Sequence, residues 1–207
     1  AAMGPEVLTA QNSSETKFDA QNYLGEHVVS IICYYSSAIN SLPSPLLIVG
    51  ALKVLTLFGK LIPADLHLKM LETLITYVNQ DETLMASYSA YCLTKFIGTG
   101  GIISNIESIG QQLVTVLLNA LQLHYENQYI LSAVIVVIGS SPKQILPIAE
   151  TVTTFVFTQL EECLKSQKNQ HFVYLLFELL SLVMRVVIGY TVPTDKVNIL
   201  QRLEAKI

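Results

Sequence analysis

The sequence predicts an all-α protein in which helical hairpins stack into an α-α superhelix. Two observations carry this prediction. Apolar residues recur at helical spacing almost throughout the 207 residues, whereas no sustained alternation of apolar and polar residues marks a strand. Nearly all-apolar helices also alternate with amphipathic ones, and helices of the apolar kind start roughly every 37 to 45 residues.

Helix breakers divide the chain into nine predicted helices. Prolines at positions 45, 63, 142, 147 and 193 fall where the first turn of a helix tolerates them, and Gly98-Thr-Gly-Gly101 predicts a loop. The predicted helices run over residues 22–39, 45–61, 63–79, 82–97, 105–123, 127–140, 147–166, 170–189 and 194–206.

The stretch HFVYLLFELLSLVMRVVIGY, residues 171–190, is typical of the apolar kind. Its polar side chains fall at i, i+4, i+7 and i+11 and share one narrow stripe, formed by Tyr174, Glu178, Ser181 and Arg185. The rest of the helix needs apolar neighbours. We expect Glu178 and Arg185 to form a structural polar stripe at the outer surface or at a repeat junction, because ionised groups must reach water or a partner. Direct contact with a partner protein is the alternative.

A bilayer span is a second explanation for these apolar helices, since about 20 such residues reach across the hydrocarbon core. The amphipathic helices between them argue against it, because a charged residue costs about 2.5 to 3.5 kcal/mol at bilayer depth. Those helices carry Asp65, Lys69, Glu72, Glu150, Glu161, Glu162 and Lys165. The sequence therefore favours protein neighbours and no membrane insertion.

The spacing of the apolar helices is that of HEAT and armadillo repeats, in which each hairpin is buried by the hairpins beside it. Residues 16–207 are predicted to form one section of about four such hairpins with an extra helix at its start. The opening AAMGPE reads as an expression-tag remnant, so residues 1–15 are expected to be a tag remnant or a disordered leading segment. The repeats are predicted near residues 45–79, 82–123, 127–166 and 170–206.

Composition and charge narrow the function. The chain is 51% hydrophobic and 14% charged, with a net charge of −4 and a mean hydropathy of +0.48, which indicates a large core. No run of Lys and Arg supplies the clustered positive charge that nucleic-acid binding needs. Cys33, Cys92 and Cys163 are isolated and odd in number, which favours reduced thiols in the cytosol or nucleus.

No motif in the chain indicates catalysis. The four histidines lack metal-ligand spacing, and the 98–101 loop lacks the Gly-Lys-Ser/Thr ending of a phosphate-binding loop. Glu161 and Glu162 are adjacent, which is typical of a solvated helix face and not of a convergent acid–base pair. The sequence therefore predicts no enzyme activity, no cofactor and no metal.

Several short blocks resemble, in order, a known family. They are Lys53, Phe58 and Pro63; Tyr88, Ala90 and Leu93; Asn127-Gln-Tyr129-Ile130; and His171-Phe172, Phe177-Glu178, Leu182 and Arg185. The set extends over residues 20–190 and resembles the importin-α re-exporters, which are the CAS-type exportins of the importin-β (karyopherin) superfamily. The 98–101 loop looks shorter than its counterpart in that family.

The resemblance implies an internal section of a nuclear export receptor built of HEAT repeats. Such a receptor binds Ran-GTP and importin-α cooperatively, carries importin-α through the pore past nuclear pore proteins, and shuttles between nucleus and cytoplasm. It has no enzyme activity of its own. Another HEAT or armadillo scaffold or adaptor, without a role in transport, is the alternative.

The amphipathic helices are expected to line the concave face, because solenoids bind partners over extended concave surfaces. No individual Ran or cargo contact carries over from the resemblance. On placement along these polar faces, the predicted partner-binding residues are Asp65, Glu72, Gln112, Asn119, Glu150 and Glu161.

Overall fold

The computed structural model describes residues 27, 29–30, 45–59, 62, 64–98, 103–166 and 169–190. Within these ranges the regular elements are helices and no strand occurs, so the all-α prediction is confirmed, and the helices pack in the manner of a helical solenoid. Outside the described residues lie the leading segment 1–15, most of the predicted helix 22–39 with Cys33, the loop residues 99–101 and the predicted helix 194–206.

The chain divides into two compact units, Ala1–Ile102 and Ile103–Ile207. The described part of the first unit contains α1 (Pro45–Phe58), a 3₁₀ turn (Ala64–Leu66), α2 (His67–Val78) and α3 (Thr83–Gly98).

Packing in the first unit centres on α3, which contacts both α1 and α2. These contacts explain why a helix with so few polar residues is stable in water, because protein covers it on two sides. His67 fixes the start of α2 to α3, since its Nε2 lies 3.1 Å from the carbonyl oxygen of Ile62 and its ring meets Phe96 edge-on at 5.2 Å. The core side chains that are at most 1% exposed include Leu52, Leu55, Met70, Leu74 and Leu93.

The second unit repeats this arrangement. An amphipathic helix again packs on the apolar helix that follows it, α4 on α5 and α7 on α8, and the two apolar helices α5 and α8 pack side by side. Its described elements are α4 (Ile103–Leu123), α5 (Gln128–Ser140), α6 (Pro142–Ile145), a 3₁₀ turn (Leu146–Ile148), α7 (Ala149–Ser166) and α8 (Gln170–Tyr190).

Helix α8 is long and apolar enough to cross a membrane by length and composition, with 39% of the tested window buried inside the structure. The α5 helix taken with residues 142–165 passes the same test as a pair bent by 112°. Core helices of water-soluble proteins share this composition. Helix α8 packs on α5, α6 and α7, and its 0% exposed side chains are Phe172, Leu176, Leu179, Val183 and Val187, whereas Phe177 and Ile188 are exposed.

Several helix starts differ from the sequence prediction by one to four residues, and in two cases the α-helix begins later than predicted because a short turn precedes it. The helix predicted over 63–79 begins as an α-helix only at His67, and the one predicted over 147–166 begins at Ala149. Short turns precede both starts. Proline explains the second case, because Pro142 pushes Ser141 out of the helical region (φ −135°, ψ 56°) and Pro147 then adds no backbone N–H to the 3₁₀ turn.

The turn between α4 and α5 is closed by Asn127. Its side-chain oxygen accepts hydrogen bonds from the backbone N–H groups of Tyr129 and Ile130, at 3.1 and 3.3 Å. Its own N–H donates to the carbonyl of His124, and Glu126 between them has a left-handed backbone with φ 59°. Because Asn127 is only 8% exposed, water has little access to replace these bonds.

Replacing this N-cap will destabilise the protein. We expect Asn127→Ala to lower the free energy of unfolding by about 1 kcal/mol, since two backbone donors lose their acceptor. The measurement is urea unfolding followed by circular dichroism. Asn119→Ala is the matched control at an exposed position inside α4, where Ala has the higher helix propensity and stability should not fall. Equal losses in both variants would contradict the capping role.

A glycine allows α4 to approach the junction of α5 and α6. A Cβ atom added at Gly110 would lie 3.0 Å from Ser141 Cβ and closer still to Ser141 Oγ. The Ser141 hydroxyl cannot easily move away, because it donates a 2.9 Å hydrogen bond to the carbonyl of Val137 and the residue is 2% exposed. The close approach therefore depends on the missing side chain.

We expect Gly110→Ala to lower the free energy of unfolding by about 1 to 3 kcal/mol, the usual cost of overpacking. Gly139→Ala is the control, because a Cβ there meets nothing within 4 Å. That variant should raise stability by up to about 1 kcal/mol, since Ala is the better helix former. Thermal unfolding of both variants tests the claim, and a stable Gly110→Ala protein would disprove the tight contact.

Candidate functional site

Candidate metal ligands and nucleophiles occur in the described ranges 45–59, 64–98, 103–166 and 169–190. No group of three or more His, Cys, Asp or Glu side chains within those ranges is placed to hold a metal ion. Burial raises the pKa of the Cys92 thiol to about 12, so the nucleophilic thiolate is scarce at neutral pH. Burial and the nearby Glu126 carboxylate also raise the pKa of Cys163, against an opposing hydrogen bond with Tyr125.

The six predicted partner-binding residues are all exposed, and they are divided between the two units. Asp65 and Glu72 belong to the first unit, at the turn before α2 and on α2 itself. The other four belong to the second unit, on α4 and α7. Of these four, Asn119 and Glu150 line a common concavity.

That concavity is a groove with a volume of about 530 Å³, lined by α4, the 3₁₀ turn Leu146–Ile148 and α7. We call it the α4–α7 groove. Helix α4 contributes Thr115, Asn119 and Gln122, and α7 contributes Glu150, Thr154, Thr158 and Gln159. Apolar lining comes from Leu118, Pro147, Ile148 and Phe155, while Glu150 is the one charged side chain among the described residues that line the groove.

Threonine hydroxyls of the groove direct their protons into the helices. Thr115 Oγ1 donates to the carbonyl of Gln111 at 3.0 Å, and Thr158 Oγ1 donates to the carbonyl of Thr154 at 3.0 Å. Both residues are exposed. A hydroxyl has one proton and two lone pairs. When its proton is donated to the helix backbone, the hydroxyl oxygen is left as an acceptor for a ligand in the groove.

Gln159 is the unusual residue of the groove. It is 9% exposed, and its Oε1 atom is buried without a hydrogen-bond partner. An unsatisfied buried acceptor costs stability, typically about 1 to 3 kcal/mol. Because most buried polar atoms in proteins are paired, such an atom at the edge of a groove calls for an explanation.

Sequence reasoning did not single out Gln159, although a signal was present. Val152, Val156, Gln159 and Cys163 follow one another at helical spacing and are all buried. Gln159 is the polar member of this otherwise apolar stripe. A long polar side chain on the core-facing side of an amphipathic helix would have marked the position.

Glu178 and Arg185 are both exposed on α8, and so is Tyr174 at 62%. In the described part of the chain the ion pair found is Lys165 with Glu162 at 2.8 Å, and it lies on the exposed surface of α7. Such exposed pairs contribute little to stability.

Comparison with known proteins gives one match. The family model described as "CAS/CSE protein, C-terminus" matches residues 100–203, which is half of the chain and nearly coincides with the second unit. No curated protein and no solved structure matches the chain. The family match agrees with the resemblance carried by the sequence blocks, and the chain belongs to the CAS/CSE family of exportins.

Proposed function

We propose that the chain is a section of a nuclear export receptor that binds Ran-GTP and importin-α cooperatively. The observation that carries the proposal is the match of residues 100–203 to the CAS/CSE family, a family of transport receptors and not of enzymes. The receptor would contact nuclear pore proteins and shuttle between nucleus and cytoplasm, without a cofactor of its own.

The geometry of the described residues supports a protein that works through surface contacts. The polar faces of α2, α4 and α7 are exposed, and they carry the six proposed contact residues Asp65, Glu72, Gln112, Asn119, Glu150 and Glu161. Four of the six residues in this set are acidic, and together with the net charge of −4 they suit a partner surface that is locally basic at the site of contact.

Nucleotide-dependent capture tests the function. We expect the full-length protein to retain Ran loaded with GTP and not Ran loaded with GDP in a pull-down, and importin-α to strengthen the capture. The reason is thermodynamic linkage: if importin-α raises the affinity for Ran-GTP, then Ran-GTP raises the affinity for importin-α by the same factor.

The outcomes separate the alternatives. Capture that requires GTP but does not respond to importin-α would keep an exportin-type receptor and change its cargo. Absence of capture with either nucleotide would contradict the proposal and leave a helical-repeat scaffold or adaptor without a transport role.

Paired substitutions test the proposed contact face. We expect Asp65→Ala with Glu72→Ala, and Asn119→Ala with Glu150→Ala, to leave the unfolding temperature nearly unchanged, because exposed substitutions shift stability by only about 0.5 kcal/mol. At least one pair should weaken the binding of Ran-GTP or importin-α about fivefold or more, which is the effect of losing about 1 kcal/mol of interface contacts.

Glu178→Ala with Arg185→Ala is the control pair for this experiment. Both residues are exposed on α8, and the pair leaves the net charge unchanged. Affinity that falls equally in the control pair, or that survives both contact pairs, would contradict the assignment of the binding face to the amphipathic helices.

A further inference from the structure

The α4–α7 groove presents hydrogen-bond acceptors on both α4 and α7, and one of its lining residues, Gln159, has a buried acceptor without a partner. We propose that the groove binds an arginine side chain from an extended segment of a partner protein. The guanidinium group would donate to the Glu150 carboxylate and to Gln159 Oε1.

The directions of the hydrogen bonds decide the chemistry of the occupant. Thr115 and Thr158 have already donated their hydroxyl protons, to the carbonyls of Gln111 and Thr154, so they face the groove as acceptors. Gln159 Oε1 is an acceptor without a partner, and Glu150 can only accept when it is ionised. Asn119 and Gln122 add amide groups that can both donate and accept, so the negative charge of Glu150 and the unpartnered oxygen of Gln159 decide in favour of a cationic hydrogen-bond donor.

Arginine fits this requirement better than the other side chains. Its guanidinium carries five donors and no acceptor in a planar fork, and its three-carbon stem packs on apolar surface. The groove supplies such surface through Ile148 and Phe155, both half-buried. Lysine offers three donors at a single point and cannot reach two separate acceptors in the same fixed geometry.

The buried position of Gln159 is compatible with this role. The Oε1 atom is covered in the structure, but the terminal torsion of a glutamine side chain is broad, so the amide can turn toward an entering donor. The unsatisfied acceptor then gains a charge-assisted hydrogen bond, which is stronger than a neutral one.

The inference rests on the proposed function in one respect, because it takes the exposed side of α4 and α7 as the partner-binding face. It requires neither Ran nor importin-α. The groove lies wholly within the second unit, so the binding of a peptide to it can succeed or fail independently of nucleotide-dependent capture.

Binding of small peptides to the 207-residue chain tests the proposal. The probe is acetyl-Gly-Arg-Gly-Arg-Gly-amide, and the matched peptide replaces both arginines by citrulline, which keeps the planar shape but removes the charge. We expect the arginine peptide to shift the side-chain amide resonance of Gln159 saturably in nuclear magnetic resonance spectra. The citrulline peptide should bind at least tenfold more weakly. Added salt should lower the affinity of the arginine peptide, because it screens the attraction between opposite charges.

Two variants and a control assign the binding to the groove. Glu150→Gln and Gln159→Met should each weaken the arginine peptide about tenfold, the effect of losing a hydrogen bond to a charged group. Gln159→Met should also keep or raise the unfolding temperature, because it removes the unsatisfied acceptor while preserving the volume. Glu107→Gln makes the same charge change on α4 outside the groove and should leave the affinity unchanged.

Three results would overturn the proposal: no shift of the Gln159 resonance at saturating arginine peptide, equal affinity for the citrulline peptide, or unchanged affinity in both groove variants. Unchanged affinity together with a lower unfolding temperature in Gln159→Met would assign that residue a purely structural role. If the peptide binds as expected but Ran capture fails, the arginine-binding role of the groove is supported and the proposed transport function is contradicted.

Discussion

Apolar helix faces are stable when other helices of the protein cover them, and the packing of the second unit follows from this requirement. Helices α5 and α8 pack side by side, and α4 and α7 cover them from the same chain. Each amphipathic helix uses its apolar face for this purpose. Their polar faces are left outward with a shallow space between them, so the α4–α7 groove follows from how the apolar helices are buried.

Much of the fold could be predicted from periodicity. The alternation of apolar and amphipathic helices predicted the all-α class, and the helical stripes predicted which residues are exposed, including Asn119, Glu150 and Arg185. These properties depend only on neighbours three or four residues away along a helix, which a single sequence displays directly.

Features that depend on distant parts of the chain could not be predicted. The approach of Gly110 to Ser141 joins residues 31 positions apart, and nothing local to either residue indicates it. The left-handed backbone of Glu126 and the short helix Pro142–Ile145 are set by the closing of their turns. The unsatisfied oxygen of Gln159 became visible only when the packing around α7 was known.

The family match and the groove address different levels of function. Residues 100–203 match a family of transport receptors, which indicates the general function of the protein but identifies no contact residue. The groove offers a specific contact through the chemistry of its lining. It has threonine hydroxyls whose protons are donated to the helix backbone, one carboxylate and one buried amide. Solenoid receptors bind over large surfaces, so one small polar groove would contribute selectivity for a particular residue more than it contributes total affinity.

The buried thiols have a practical consequence. Cys92 lies in the core of the first unit and Cys163 in that of the second, and both have raised pKa values. Thiol reagents attack the thiolate, so each cysteine reacts appreciably only while its surroundings are open. The labelling rate of Cys92 therefore reports how often the first unit opens, and the labelling rate of Cys163 reports the same for the second unit. Comparing the two rates would show whether the units open together or separately.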